Sequence, residues 1–214
     1  MHWILNEIEK DLFKEIANIG LSKAADALAV LAKQKVLLNV PDIQLINPDK
    51  IFDVVVEDKE KTAIVIRSDI KGDIEGKTLI MFSQHYVDKF ISEIIDSVGE
   101  FDGDKIKLTE SILLELSNII TGSIITQFAN IFHLKIHGSV PTGPQYNVTH
   151  SLQDLLKDFP SFQPLIFTIK TKFLNNGKYL ELPLLIVFDT DTLLKLLSII
   201  RSNNKNNYNF LLKN

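Results

Sequence analysis

The stretch Asp11-Leu12-Phe13-Lys14-Glu15-Ile16-Ala17-Asn18 returns 100 residues later as Ser111-Ile112-Leu113-Leu114-Glu115-Leu116-Ser117-Asn118. Pro41 falls on Pro141 at the same offset. Both halves therefore read Asp or Ser, three residues, Glu, two residues, Asn, 22 residues, Pro. A repeat of this kind decides the architecture, so it is settled first. Positions i, i+4 and i+7 of a helix share one stripe. Asp11, Glu15 and Asn18 occupy such a stripe, and Ser111, Glu115 and Asn118 occupy its counterpart. Their neighbours drift: Lys14 is matched by Leu114, Ala17 by Ser117 and Gly20 by Ile120. A merely solvated face has no reason to keep Glu and Asn in register while the residues around them change. The pattern points to chemistry carried by a carboxylate and a carboxamide one turn apart.

Working outward, Leu79-Ile80-Met81-Phe82 is echoed by Leu185-Ile186-Val187-Phe188 at an offset of 106. The second half thus holds a few extra residues, expected between Gly143 and Phe162, where Pro144, Asn147 and Pro160 stand. Asn6 with Glu9 reads as a capping box opening a helix to about Lys33. Leu12, Ile16 and Ile19 recur at helical spacing. Ala17, Gly20, Ala24 and Ala27 form a small-residue line that admits a close neighbour. Strands are expected at about 35–46, 53–57, 62–70 and 76–82, then a helix from Ser83 to about Gly99. In the second half we expect a helix from about Thr109 to Phe132, strands at about 134–140, 164–173 and 178–188, and a last helix at about 190–201. A short helix near 151–157 is allowed. Two repeats, about 8–98 and 108–201, would share one core in a single domain spanning 1–201. The polar, Asn-biased tail 202–214 is read as loose. The expected fold is α/β (α+β), internally duplicated and pseudo-twofold, with a mainly antiparallel sheet and two long motif helices.

The bulk numbers restrict the function. The chain has 214 residues, 45% of them apolar and 23% charged, as in an ordinary soluble globular protein. A net charge of −4 argues against a general nucleic-acid binder. With no cysteine, disulfides, thiolate metal sites and cysteine nucleophiles are excluded. The start lacks a basic n-region and a continuous apolar h-region, and charges or amides interrupt every greasy run, so neither a signal peptide nor a membrane span is expected. A cytoplasmic location follows as an expectation. His133 and His137 have ligand-like spacing but no evident third ligand. No phosphate-binding glycine loop occurs. Asn147-Val148-Thr149 matches a glycosylation acceptor, which has no use in a cytoplasmic chain.

From about residue 8 to 200 the chain resembles the CheC family of chemotaxis response-regulator phosphatases, whose relatives include CheX and the flagellar switch protein FliY. The resemblance rests on the two motifs, on Lys14 to Ala25, and on Gly72-Asp73-Ile74-Glu75-Gly76. It departs at Ile120, where the first copy has Gly20, and at Ala17 and Ser117, where the family often has Gly.

The resemblance implies hydrolysis of the aspartyl phosphate of a CheY-like response regulator. Asn18 and Asn118 would hold the attacking water. Glu15 and Glu115 would pair with the regulator's active-site Lys. Asp11 and Ser111 would aid docking or helix geometry, and Pro41 and Pro141 would shape the chain beside each site. No cofactor of its own is implied, because Mg²⁺ comes with the regulator. CheD is a second implied partner. The competing readings are a non-catalytic module that binds phosphorylated regulator or CheD, and a flagellar switch-associated protein.

Overall fold

The computed structural model describes residues 5–31, 37–38, 42–46, 50, 63–84, 87–88, 91, 103–158, 165–175, 178–188 and 190–204. The expected strand at 53–57 and most of the expected helix after Ser83 lie outside them, although Gln84, Val87, Asp88 and Ile91 are helical. So does Pro41.

Helix α1 spans Glu7–Leu31. The capping box forms as read: Asn6 N–H donates to Glu9 Oε2 and Glu9 N–H to Asn6 Oδ1, both at 2.9 Å. Those bonds satisfy backbone donors that a helix start leaves open. Strands β1 (Leu37–Leu38), β2 (Asp42–Ile46), β3 (Ala63–Gly72) and β4 (Gly76–Ser83) follow. Helix α2 spans Lys105–Phe132, one turn longer than expected at its start. The cause is Asp104, whose carboxylate accepts from the N–H groups of Ile106 and Lys107 and so caps the first turn. Then come β5 (Ile136–Gly138), β6 (Thr142–Gln145), α3 (Val148–Asp158), β7 (Leu165–Asn175), β8 (Lys178–Phe188) and α4 (Thr190–Asn204). Strand β6 was not foreseen. Helix α4 runs into what was read as loose tail.

The described strands form one eight-stranded sheet in the order β1-β7-β8-β4-β3-β5, with β2 also on β7 and β6 also on β3. Every described pairing is antiparallel. Each half lends its first two strands to the other half's hairpin, and β4 meets β8 at the centre. Exchanging the halves leaves this order unchanged.

Successive strand residues face opposite sides of a sheet. Ile64, Ile66, Ile80, Phe82, Ile186 and Phe188 join the core beneath α1, α2 and α4. Val65, Leu79, Met81, Leu185 and Val187 face the other way and pack on Leu152 and Leu155 of α3. This double burial is why the central strands are apolar without alternation. Helix α3 covers the sheet's far side. Asp158 at its end holds Lys77 at 2.7 Å and Arg67 at 3.5 Å.

By length and composition, α2 could cross a bilayer. Its apolar content is used inside the protein instead: Leu113, Leu116, Ile120, Ile124, Ile125, Phe128 and Phe132 are buried in the core. Helices α1 and α2 pack antiparallel. Phe13 meets Phe128 and Phe132 at centroid distances of 5.8 and 6.3 Å. Further along α1, a Cβ at Gly20 would lie 2.9 Å from the Cα of Ile124. Partner numbers thus fall on α2 as they rise on α1. Half a turn beyond Gly20, Ser22 comes level with Gly122, its own counterpart at the 100-residue offset. Of the small-residue line, Ala17, Gly20 and Ala24 are buried and Ala27 is exposed.

Candidate functional site

The motif residues sit on the sides of α1 and α2 that the core does not use. Asp11, Glu15, Ser111, Glu115 and Asn118 are exposed, and Asn18 is half-buried. The residues between them point inward: Phe13, Ile16 and Ala17 on α1, Leu113, Leu116 and Ser117 on α2. A helix advances about 100° per residue. Gly20, which touches α2, therefore points nearly opposite to Asn18. Ile124, nine residues past Glu115, likewise points opposite to it. The two stripes diverge from the contact between the helices, giving two separate sites. Each Asn lies four residues from the level of Ser22 and Gly122, so the two are about 12 Å apart along the helix axis.

Among the described residues, no hydrogen bond or ion pair engages the side chains of Glu15, Asn18, Glu115 or Asn118. Each site offers an open carboxylate and an open carboxamide three residues apart, about 5–6 Å between Cβ atoms. A carboxamide both donates and accepts, so it can hold a water. A carboxylate can receive an ammonium group. Ser111 differs: its hydroxyl donates to Lys107 C=O at 2.8 Å, tying it to its own helix. The flanks also differ, with Lys10 bound to Glu7 at 2.7 Å beside the first motif.

Pro141 is buried. It lies in a segment that runs beside α2, starting at Gly138, where a Cβ would meet Ile125 Cδ1 at 3.1 Å. The segment ends at Tyr146, whose phenol donates to Glu110 Oε1 at 3.2 Å. Burial and then the Glu110 carboxylate raise the phenol's pKa above its ordinary value. Interpolation between those contacts puts Pro141 level with Asn118. The 22-residue spacing between Asn and Pro is thus the length needed to finish the helix, turn at His133 and return. His133 closes α2 in the left-handed conformation, and His137 stands on β5, so the two histidines belong to different elements. Sequence reading missed Glu110, Tyr146 and the exposed Val140. Nothing in their spacing marks them, because Tyr146 and Glu110 are 36 residues apart.

The comparisons with known proteins agree with the family read from the two motifs. Residues 8–44 match the model of the CheC-like family. The chain is 30% identical to the CheY-P phosphatase CheC of Bacillus subtilis (strain 168) over 141 residues, which is 64% of this chain and 66% of that one. It thus spans just under two thirds of that relative's length. Thermotoga maritima FliY superposes with a TM-score of 0.66 at 19% identity, covering 94% of this chain and 99% of that one. FliM in its complex with SpeE from H. pylori gives 0.60 at 9% identity, covering 94% and 98%. At those identities the two structures establish the shared fold and nothing more.

Proposed function

For a chain that is CheC-like over residues 8–44, we propose that it hydrolyses the aspartyl phosphate of a CheY-like response regulator. The observation that carries this reading is the pair of open Glu and Asn stripes on α1 and α2, joined to the likeness to CheC. In the reaction, the oxygen of a water attacks phosphorus, and the bond from phosphorus to the regulator's carboxylate breaks. The carboxylate leaves as an anion, and the water's proton ends on inorganic phosphate. Little covalent chemistry is asked of the catalyst, so positioning dominates. Asn18 and Asn118 hold the water in line with the leaving carboxylate. Glu15 and Glu115 take the regulator's active-site Lys and fix the docked angle. The divalent cation beside the acyl phosphate arrives with the regulator as part of the substrate. Asp11 and Ser111 rank as supporting, with Ser111 limited to its bond within α2.

A cytoplasmic location goes with this substrate. CheD as a second partner, and the flagellar switch as a site of action, are further proposals; the likeness to FliY and FliM supports the latter by fold alone. The reciprocal strand order supports the two-repeat reading. The test is the lifetime of a phosphorylated CheY-like regulator with and without the chain. Wild-type protein should shorten it. Glu15→Lys with Glu115→Lys should remove that effect by repelling the regulator's Lys, with unfolding behaviour unchanged because both positions are exposed. An unshortened lifetime with wild type would overturn the proposal.

A further inference from the structure

The two sites are not lined alike, and the difference lies in the segment beside α2. Between Glu110 and Ile125 the helix covers about 22 Å. The segment from Gly138 to Tyr146 meets α2 at both ends, at Ile125 and at Glu110, and bulges against β3 between them. It passes the second motif on the flank nearest Asn118. Val140 on it is 82% exposed and Tyr146 56%. Among the described residues five large apolar side chains are exposed, and two of them, Val140 and Tyr146, lie on this segment. The bond from Tyr146 to Glu110 holds the ring in place before any partner arrives, which lowers the ordering cost of binding.

Offset by 100 residues, the first motif has Lys10 for Glu110, Val40 for Val140 and Ile46 for Tyr146. It has no phenol–carboxylate pair. We propose that Val140 and Tyr146 form a side wall of the second site that receives the flank of the regulator's receiver domain, making the second site the tighter of the two. This rests on the phosphatase reading above. The occupant follows from continuity: a protein that brings its phosphoaspartate to Asn118 must cover the surface alongside. Aromatic residues are enriched in such interfaces, around which the rim is polar.

The experiment isolates each site. Asn18→Ala leaves only the second site working, and Asn118→Ala only the first. Val140→Asp and Tyr146→Ala are then added singly to each, and the rate is measured against regulator concentration. In the Asn18→Ala protein each should raise KM about fivefold or more, the scale of an interface residue that matters, with kcat kept. In the Asn118→Ala protein KM should not move. Val140 is almost wholly exposed, so its substitution guards against a trivial folding effect. An unchanged KM in the Asn18→Ala protein, or an equal rise in both, would overturn the side wall. An unshortened regulator lifetime with wild-type protein would overturn the phosphatase reading itself, whatever the wall residues do, and full activity of the Asn18→Ala, Asn118→Ala double variant would overturn the assignment of the water to the two carboxamides.

Discussion

Gly20 gives a quantitative handle on how tightly the two motif helices are held. A Cβ there would lie 2.9 Å from Ile124 Cα, 3.0 Å from its Cγ1 and 3.2 Å from its N. Carbon atoms rest at about 3.5–4.0 Å, and the obstructing group is backbone, which cannot rotate away. Gly20→Ala therefore forces α2 back by about 0.5–1 Å, and a gap of that size forfeits a quarter to a half of the contact energy. Overpacking of this kind costs about 1–3 kcal/mol. Against it stands the gain of about 1 kcal/mol from replacing Gly by Ala inside a helix. The net expectation is a loss of about 1 kcal/mol, within a range of about 0–2. Gly122 supplies the control, because a Cβ there meets nothing within 4 Å. Gly122→Ala should show only the propensity gain, about 1 kcal/mol of stabilisation. The two substitutions should thus differ by about 1–3 kcal/mol in urea unfolding at a common m-value. If Gly20→Ala stabilises the protein as much as Gly122→Ala, the close crossing of α1 and α2 is wrong.

Two further outcomes follow from single contacts. Glu9 is 1% exposed, and Arg201 Nε reaches its Oε1 at 2.7 Å across 192 residues of chain; Arg201→Ala should cost about 2 kcal/mol in chemical denaturation, reduced from the full value for a buried pair because Arg201 is exposed. A loss below a few tenths would contradict it. Tyr146 has its pKa raised by burial and by Glu110, so the fold favours the protonated phenol. That contribution is present below pH 10 and is lost as pH rises through the folded pKa. The phenolate absorbance missing from Tyr146→Phe should therefore appear above pH 10, and its appearance at or below pH 10 would contradict the contact.

The parts of the fold legible from sequence are those written in local chemistry. Asn6 and Glu9 announce the start of α1, and the repeated Glu and Asn place both motif stripes on exposed faces. The hairpin β7–β8 stands where apolar and β-branched content put it. The first turn of α2 escaped because it rests on the cap at Asp104, whose carboxylate accepts from the N–H groups of Ile106 and Lys107. What else escaped depends on distant partners. Strand β6, Thr142-Gly143-Pro144-Gln145, has the composition of a loop and becomes a strand by pairing with β3. A short helix near 151–157 is allowed by the sequence, but its cover of the far face of the sheet is not legible there. For the site, the Glu and Asn pairs could be read because each lies within one helix. Their surroundings could not, since Val140 and Tyr146 reach the second motif only after the chain has turned back at His133.

The central claim is that two carboxamides, one on each motif helix, position the hydrolytic water. The direct measurement is the decay rate of phosphoaspartate on the regulator with wild type, Asn18→Ala, Asn118→Ala and the double variant, at equal concentrations. The account predicts partial stimulation from each single variant and, from the double variant, decay at the regulator's own unassisted rate. A double variant that stimulates decay as fast as wild type would contradict it.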